Sequence, residues 1–161
     1  MNRWCRRGWR PFRLGLCAAL APLAAHAETD ACTLATPAEV SAAVHVAVGA
    51  GAHVTPTFVK TCTWTPTGSS SIRAVTVNLQ TAAFYDGAKQ MAIKMTAVSP
   101  AAKIQPASVG DDGYYSIVGE MVALLFKKGG SSVKVAVYAR MPVGELEAME
   151  LALARQVAAK L

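Results

Sequence analysis

The first clear pattern along the chain is a helix whose beginning is marked by its own side chains. Thr36-Pro37-Ala38-Glu39 is a capping box with proline at the first helical position, where the missing N–H has no cost. Gly49 and Gly51 mark the end of the helical pattern. Before them, apolar residues recur at helical spacing: Val40, Ala43, Val44 and Ala47. The pattern predicts a first helix of about three turns.

A β-hairpin is predicted next, because the periodicity changes to alternation. Residues 54–65 are rich in β-branched and aromatic side chains, and within 61–65 threonines alternate with Cys62 and Trp64. Residues 66–71 are typical of a turn, and Ile72 to Gln80 alternates again. The alternation therefore places Cys62 and Trp64 on one face of the first strand.

Thr81 can cap a second helix, and its apolar residues follow at intervals of four, three and four. This spacing predicts a buried stripe: Phe84, Ala88, Met91 and Met95. Residues 99–113 then show little periodicity and contain two prolines and two glycines, so we expect a long loop there.

The last third of the chain predicts a three-stranded meander followed by a helix. The strands cover 114–118, 121–127 and 133–139, and Pro142 opens the helix. The helix has one apolar face: Leu146, Met149, Leu153 and Val157. The order is α-β-β-α-β-β-β-α, which favours an α+β fold with a single antiparallel sheet of about five strands and helices packed mainly on one face.

Residues 1–27 have the pattern of a cleaved signal peptide. Five arginines precede an apolar run over 14–25, and the small-residue triplet Ala25-His26-Ala27 places the cleavage between Ala27 and Glu28. The run has 12 residues and contains Pro22, whereas a membrane-spanning helix needs about 20 apolar residues. We therefore expect no retained transmembrane segment, a periplasmic or secreted protein, and one domain over 28–161. Arg6-Arg7 leaves the twin-arginine route open beside the general one.

Removal of this segment changes the charge of the protein. The whole chain has 16 Lys+Arg against 10 Asp+Glu, but five of the basic residues precede the cleavage site, so 11 remain. The basic excess that would suggest a nucleic-acid partner is lost with the signal peptide. We expect no nucleic acid among the partners.

Two cysteines, Cys32 and Cys62, follow the cleavage site. An even pair in an oxidising compartment predicts a disulfide. It would close a loop of about 30 residues and stabilise the fold by roughly 3.5 kcal/mol.

Few residues suggest catalysis or metal binding. His45 and His53 have no Asp, Glu or Cys at ligand spacing, so we expect no metal site, no cofactor and no catalytic set around them. Asp111 and Asp112, between two glycines, form the most conspicuous polar spot, although aspartates in a solvated turn also bind backbone N–H groups. Tyr114 and Tyr115 alternate on a strand, so at least one should face outward and suit partner binding.

Three segments resemble a loosely defined family of small bacterial secreted or lipoprotein envelope domains of unknown function. They are a cysteine before a capped helix (residues 32–40), Cys62-Thr63-Trp64, and Gly110-Asp111-Asp112-Gly113-Tyr114-Tyr115 opening a strand. Members of that family commonly have a lipid-attachment cysteine, and this chain lacks a convincing one. The resemblance implies an exported, disulfide-linked α+β domain without an assigned activity.

Two functions follow as hypotheses. The first is a non-enzymatic binding module that contacts an unknown protein or small ligand of the envelope through residues 99–113 with Tyr114 or Tyr115. The second is a small hydrolase-like enzyme that uses Asp111 and Asp112 as acid and base.

Overall fold

The structure is a computed structural model that describes residues 29–161. The predicted signal peptide, residues 1–27, and its cleavage site at Ala27 and Glu28 lie outside the described residues. None of the helices in the described part of the chain has the length and apolar character needed to cross a bilayer.

Three α-helices and seven strands follow a short 3₁₀ turn at Ala31–Thr33. The helices are α1 (Pro37–Val44), α2 (Ala82–Val98) and α3 (Val143–Ala158). The strands are β1 (Ala52–His53), β2 (Thr61–Trp64), β3 (Ile72–Thr81), β4 (Ala102–Pro106), β5 (Asp112–Val118), β6 (Met121–Lys128) and β7 (Ser131–Ala139).

All seven strands form one antiparallel sheet in the order β1-β2-β3-β7-β6-β5-β4. The α+β class, the single sheet, the hairpin β2–β3 and the meander β5–β7 are confirmed, whereas the predicted count of about five strands and the predicted element order are wrong. The two additional strands lie at the edges, where each pairs on one side only. A strand of two residues and one that ends at Pro106 carry too little alternation to be recognised, and an edge position accommodates the proline.

One face of the sheet is covered by α3, which packs on β6 and β7, and by α1, which packs on α3. The capping box of α1 is present, with the Glu39 amide donating to the Thr36 hydroxyl at 3.2 Å and the Glu39 carboxylate accepting from the Thr36 amide at 2.7 Å. Three of the four residues predicted for the inner face of α3 are fully buried, and Met149 is partly buried. This layer forms the main core, in which Cys62 and Trp64 are inaccessible to solvent.

The opposite face of the sheet is covered by α2 alone, above β4 to β7. Its buried residue is Tyr85, with Ala88 and Ala92 partly buried beside it. The predicted stripe of Phe84, Ala88, Met91 and Met95 is therefore wrong as a buried face, because Phe84, Met91 and Met95 are exposed. Small residues at 88 and 92 let the helix approach the sheet closely, which a row of methionines would prevent.

The predicted disulfide between Cys32 and Cys62 is confirmed, with Cα atoms 4.9 Å apart. It connects the 3₁₀ turn before α1 to the centre of β2. Because the bridge joins segments 30 residues apart, it restricts the unfolded chain and holds the entrance of the first helix against the sheet.

Candidate functional site

The loop that contains Asp111 borders an open cleft with a volume of about 710 Å³. Residues 106–113 form one wall, and Lys128, Arg155 and Ala158 form the other. Lys128 lies at the end of β6, and its ammonium donates to the Ala158 carbonyl near the end of α3. The exposed Arg155 is the cation of this cleft that faces solvent.

Gly110 packs directly against the backbone of β6. Its φ is +66°, and an added Cβ would collide with the Lys127 carbonyl oxygen and lie 2.9 Å from the Phe126 ring. The next residue is held as well, since the Asp111 amide donates to the Lys127 carbonyl at 2.8 Å. The loop is thus fixed on β6 by backbone contacts that leave no room for a side chain at position 110.

We expect Gly110→Ala to lower the free energy of unfolding by about 3 kcal/mol, because the left-handed conformation costs about 1–2 kcal/mol and the collision adds to it. Gly119→Ala is the matched control: its φ is +62°, but nothing lies within 4 Å of the added Cβ. Gly119→Ala should lower the free energy of unfolding by only about 1 kcal/mol. Urea denaturation measures both variants, and equal losses would show that the contact of Gly110 with β6 is unimportant.

The two aspartates of the loop are held by different elements. Asp111 Oδ2 accepts the Gly129 N–H at 2.8 Å across the β6–β7 turn, and Asp112 Oδ2 accepts from the Lys89 ammonium at 2.7 Å on α2. The Lys89 ammonium holds the pKa of Asp112 below its usual range. Both carboxylates thus have structural partners, and neither forms an acid and base pair with the other.

Tyr114 and Tyr115 are both buried, so the expectation that one of them faces outward is wrong. They do lie on opposite faces of β5: Tyr115 belongs to the main core and its hydroxyl donates to the Glu147 carbonyl at 3.0 Å, whereas Tyr114 packs under α2. Both are covered because each face of the sheet carries a helix at this point. Burial raises the pKa of Tyr114 to about 12.

Tyr114 belongs to a cluster of rings and charges that attaches α2 to the sheet. The Tyr85 and Tyr114 rings meet edge to face with centroids 5.3 Å apart, and Lys89 lies over both rings at 5.6 and 5.8 Å. Lys127 lies 5.4 Å from the Tyr85 ring and pairs with Asp86 at 3.3 Å. The conspicuous acidic spot in the sequence is therefore partly an anchor for α2.

A second group of polar residues surrounds the disulfide. His53 Nε2 lies 3.2 Å from Asp30 Oδ2, and His53 Nδ1 lies 3.7 Å from Cys32 Sγ and 3.2 Å from the Thr61 carbonyl oxygen. Asp30 Oδ1 accepts the Cys32 N–H at 2.7 Å. Spacing along the sequence indicated no ligand for His53, because these partners are more than 20 residues away from it. The pairing of β1 with β2 and the disulfide bring them together.

The outer face of α2 is the most apolar exposed surface of a helix in the described residues. Four large side chains form what we call the α2 stripe, with exposed fractions of 48, 60, 40 and 77%: Phe84, Met91, Met95 and Val98. At 100° per residue they lie on one flank of the helix, and Lys89 and Ile93, which border β4 and β5, lie on the other. The stripe therefore lies on the flank of α2 that is turned away from β4 and β5, on the side of β3 and β7, which α2 contacts less extensively than β4.

No protein-family model, curated protein or solved structure matches this chain.

Proposed function

We propose that this chain is an exported, non-enzymatic binding module that holds an amphipathic helix of a partner protein beside α2. The observation that carries the proposal is the α2 stripe, since exposed large apolar side chains grouped on one surface are typical of interaction sites. The resemblance of residues 32–40, 62–64 and 110–115 to envelope domains of unknown function supports the exported location.

The spacing of the stripe fits a helix as the partner. With the half-buried Ala88, its positions follow at intervals of four, three, four and three, which is the seam that two packed helices share over about four turns. Two of the exposed residues are methionines, whose flexible thioether chains adapt to an apolar partner. A helix laid along this seam would lie beside α2, on its β3 and β7 side.

The charges around the seam fix the chemistry of the partner. Lys94 lies on α2 next to the seam, immediately before Met95. Lys134 lies in β7 on the face of the sheet that carries α2, and it pairs with Asn78 of β3. Neither lysine makes an ion pair within residues 29–161, whereas Asp86 and Asp112 on this face are paired with lysines. The partner helix therefore carries an apolar seam flanked by acidic residues.

Photo-cross-linking in the producing cells tests the proposal. A benzophenone amino acid placed at position 91 should form an adduct with a partner polypeptide, because it lies in the middle of the seam. Position 97 is the matched control, since Ala97 is exposed on the other side of the same helix. The adduct should be absent from position 97, should decrease at least about tenfold with Met95→Asp, and should map to an amphipathic helix with acidic flanks.

Four results would contradict the proposal: an adduct only with a second copy of this chain, an adduct only with lipid, equal labelling at positions 91 and 97, and no adduct at all. Met95 is 40% exposed, so Met95→Asp should lower the free energy of unfolding by no more than about 1 kcal/mol, including the effect of an acid in the last turn of α2. This control separates loss of binding from loss of the fold.

A further inference from the structure

The residues around the disulfide have a use beyond the proposed binding of a partner helix. We propose that, once the Cys32–Cys62 disulfide is reduced, Cys32, Cys62 and His53 bind a divalent ion of the zinc type, and that Asp30 orients the imidazole. The metal ion and the disulfide are then alternative occupants of one site.

The distances in the oxidised protein already approach those of a metal site. In tetrahedral zinc coordination, a thiolate sulfur and an imidazole nitrogen bound to the same ion lie about 3.6 Å apart. Cys32 Sγ and His53 Nδ1 are 3.7 Å apart. The ligand atoms of Asp30, Cys32 and His53 lie within 4.8 Å of one another. Cys62 Sγ is bonded to Cys32 Sγ, so reduction leaves a second thiolate next to this group.

Asp30 completes the arrangement as a positioning residue. Histidines that bind metals through one ring nitrogen commonly donate the other N–H to a carboxylate, which fixes the tautomer. His53 Nε2 lies 3.2 Å from Asp30 Oδ2, and Nδ1 lies 3.7 Å from Cys32 Sγ. A metal ion bound at Nδ1 would leave Nε2 as the N–H donor to Asp30. The Thr61 carbonyl, 3.2 Å from Nδ1, is the contact that the metal ion would replace.

An ion can reach this position from solvent. Cys32, Asp30 and His53 are half-buried, and only Cys62 is inaccessible. The site therefore opens on the side of the 3₁₀ turn and β1. The other histidine, His45, caps the C-terminus of α1 and belongs to no group of three such ligands within residues 29–161.

The reaction balances with a dithiol as the reductant. The dithiol transfers two electrons to the Cys32–Cys62 bond and becomes a disulfide, and this chain gains two thiols. Binding of Zn²⁺ by the two thiolates then releases two protons, and no electron moves in this step because Zn²⁺ has no redox chemistry.

Metal titration of the reduced protein tests the proposal. The full chain is expressed, purified in its exported form, reduced with a phosphine, and titrated with Zn²⁺ by calorimetry and with Co²⁺ by absorption. We expect one ion per chain and the absorption bands of tetrahedral cobalt thiolate. Asp30→Asn should weaken binding about 10- to 100-fold, His53→Ala should weaken it further, and His45→Ala should leave it unchanged.

Trp64 reports the state of the site. It is the only tryptophan of residues 29–161, and a Cβ added at Gly51 would lie within 2.6 Å of Cys62 Sγ and 2.8 Å of Trp64 Nε1, so the indole and the bridge are neighbours. Because disulfides quench indole fluorescence, reduction should increase the emission. Zn²⁺ should then slow the return to the quenched state under oxidised glutathione.

Several outcomes would overturn the proposal. They are no metal binding by the reduced chain, equal binding by the parent and His53→Ala, and tighter binding by the oxidised chain. If reduction alone unfolds the chain, Zn²⁺ should restore the helical circular dichroism, and failure to restore it also counts against the site. The oxidised His53→Ala protein, which keeps the disulfide, shows whether that variant folds.

Discussion

Glu150→Gln is expected to raise the free energy of unfolding at pH 9 by about 4 kcal/mol and to remove most of the change in stability between pH 4.5 and pH 8. Glu150 lies in α3, facing the sheet, and is inaccessible to solvent. Burial raises its pKa from 4.5 to about 8, against the opposing effects of the Val137 and Leu124 amides and of Lys134. Each unit of pKa difference between the folded and unfolded states corresponds to about 1.4 kcal/mol.

The direction of the effect follows from the raised pKa. Below pH 4.5 the carboxyl group is protonated in both states, so the fold incurs no electrostatic cost. As the pH rises towards 8, the unfolded chain releases the proton and the folded chain retains it, so stability decreases, and above pH 8 the loss is complete. In the parent protein the Val137 N–H donates to Glu150 Oε1 at 2.9 Å. Glutamine resembles the protonated acid, and its side-chain oxygen can accept the same N–H.

Urea denaturation from pH 4 to pH 9 measures this difference. Glu145→Gln is the matched control, because Glu145 is exposed on the same helix and should change the stability by less than about 1 kcal/mol. Parallel pH profiles for the parent chain and Glu150→Gln would show that Glu150 is ionised in the fold at neutral pH, contrary to its burial.

Sequence patterns predicted the parts of this fold that depend on local chemistry. The capping box at Thr36, the alternation in β2 and β3, and the meander after Asp112 each involve residues close together in the chain, and all are present. Periodicity also located α2, but it could not identify which side of the helix meets the sheet. The more apolar side, with Met91 and Met95, is exposed, because Tyr85 fills the space above Tyr114 and Leu125.

The polar sites depended more on the tertiary fold. Counting cysteines was sufficient to find the disulfide, since only two follow the predicted cleavage site. His53 meets Asp30 and Cys32 only because β1 pairs with β2, and no spacing in the sequence indicates that contact. Similarly, Asp112 looked like a catalytic or solvated residue, and its partner Lys89 comes from a helix that precedes it by about 20 residues. Glu150 lies four residues after Leu146 and three before Leu153, so helical spacing placed it on the apolar face of α3, and only its charge argued against burial.

Tyr85→Ala is expected to lower the free energy of unfolding by about 3–5 kcal/mol, the usual loss when a large buried aromatic side chain is truncated. Tyr85 is the only α2 side chain that is fully buried. The ion pairs of α2 with the sheet, Lys89–Asp112 and Lys127–Asp86, are partly exposed and contribute little. Hydrogen exchange of the α2 amides should therefore accelerate more than that of α1 and α3.

Two controls separate the loss of the buried ring from the loss of the hydroxyl group and from the loss of an exposed ring. Tyr85→Phe keeps the ring on Tyr114 and should change the stability by less than about 1 kcal/mol. Phe84→Ala removes a neighbouring ring of nearly the same size, but that ring is half-exposed, so the loss should be about 1 kcal/mol or less. If Phe84→Ala is instead the costlier change, the stripe faces the sheet rather than solvent, and α2 then has no apolar seam to offer to a partner helix.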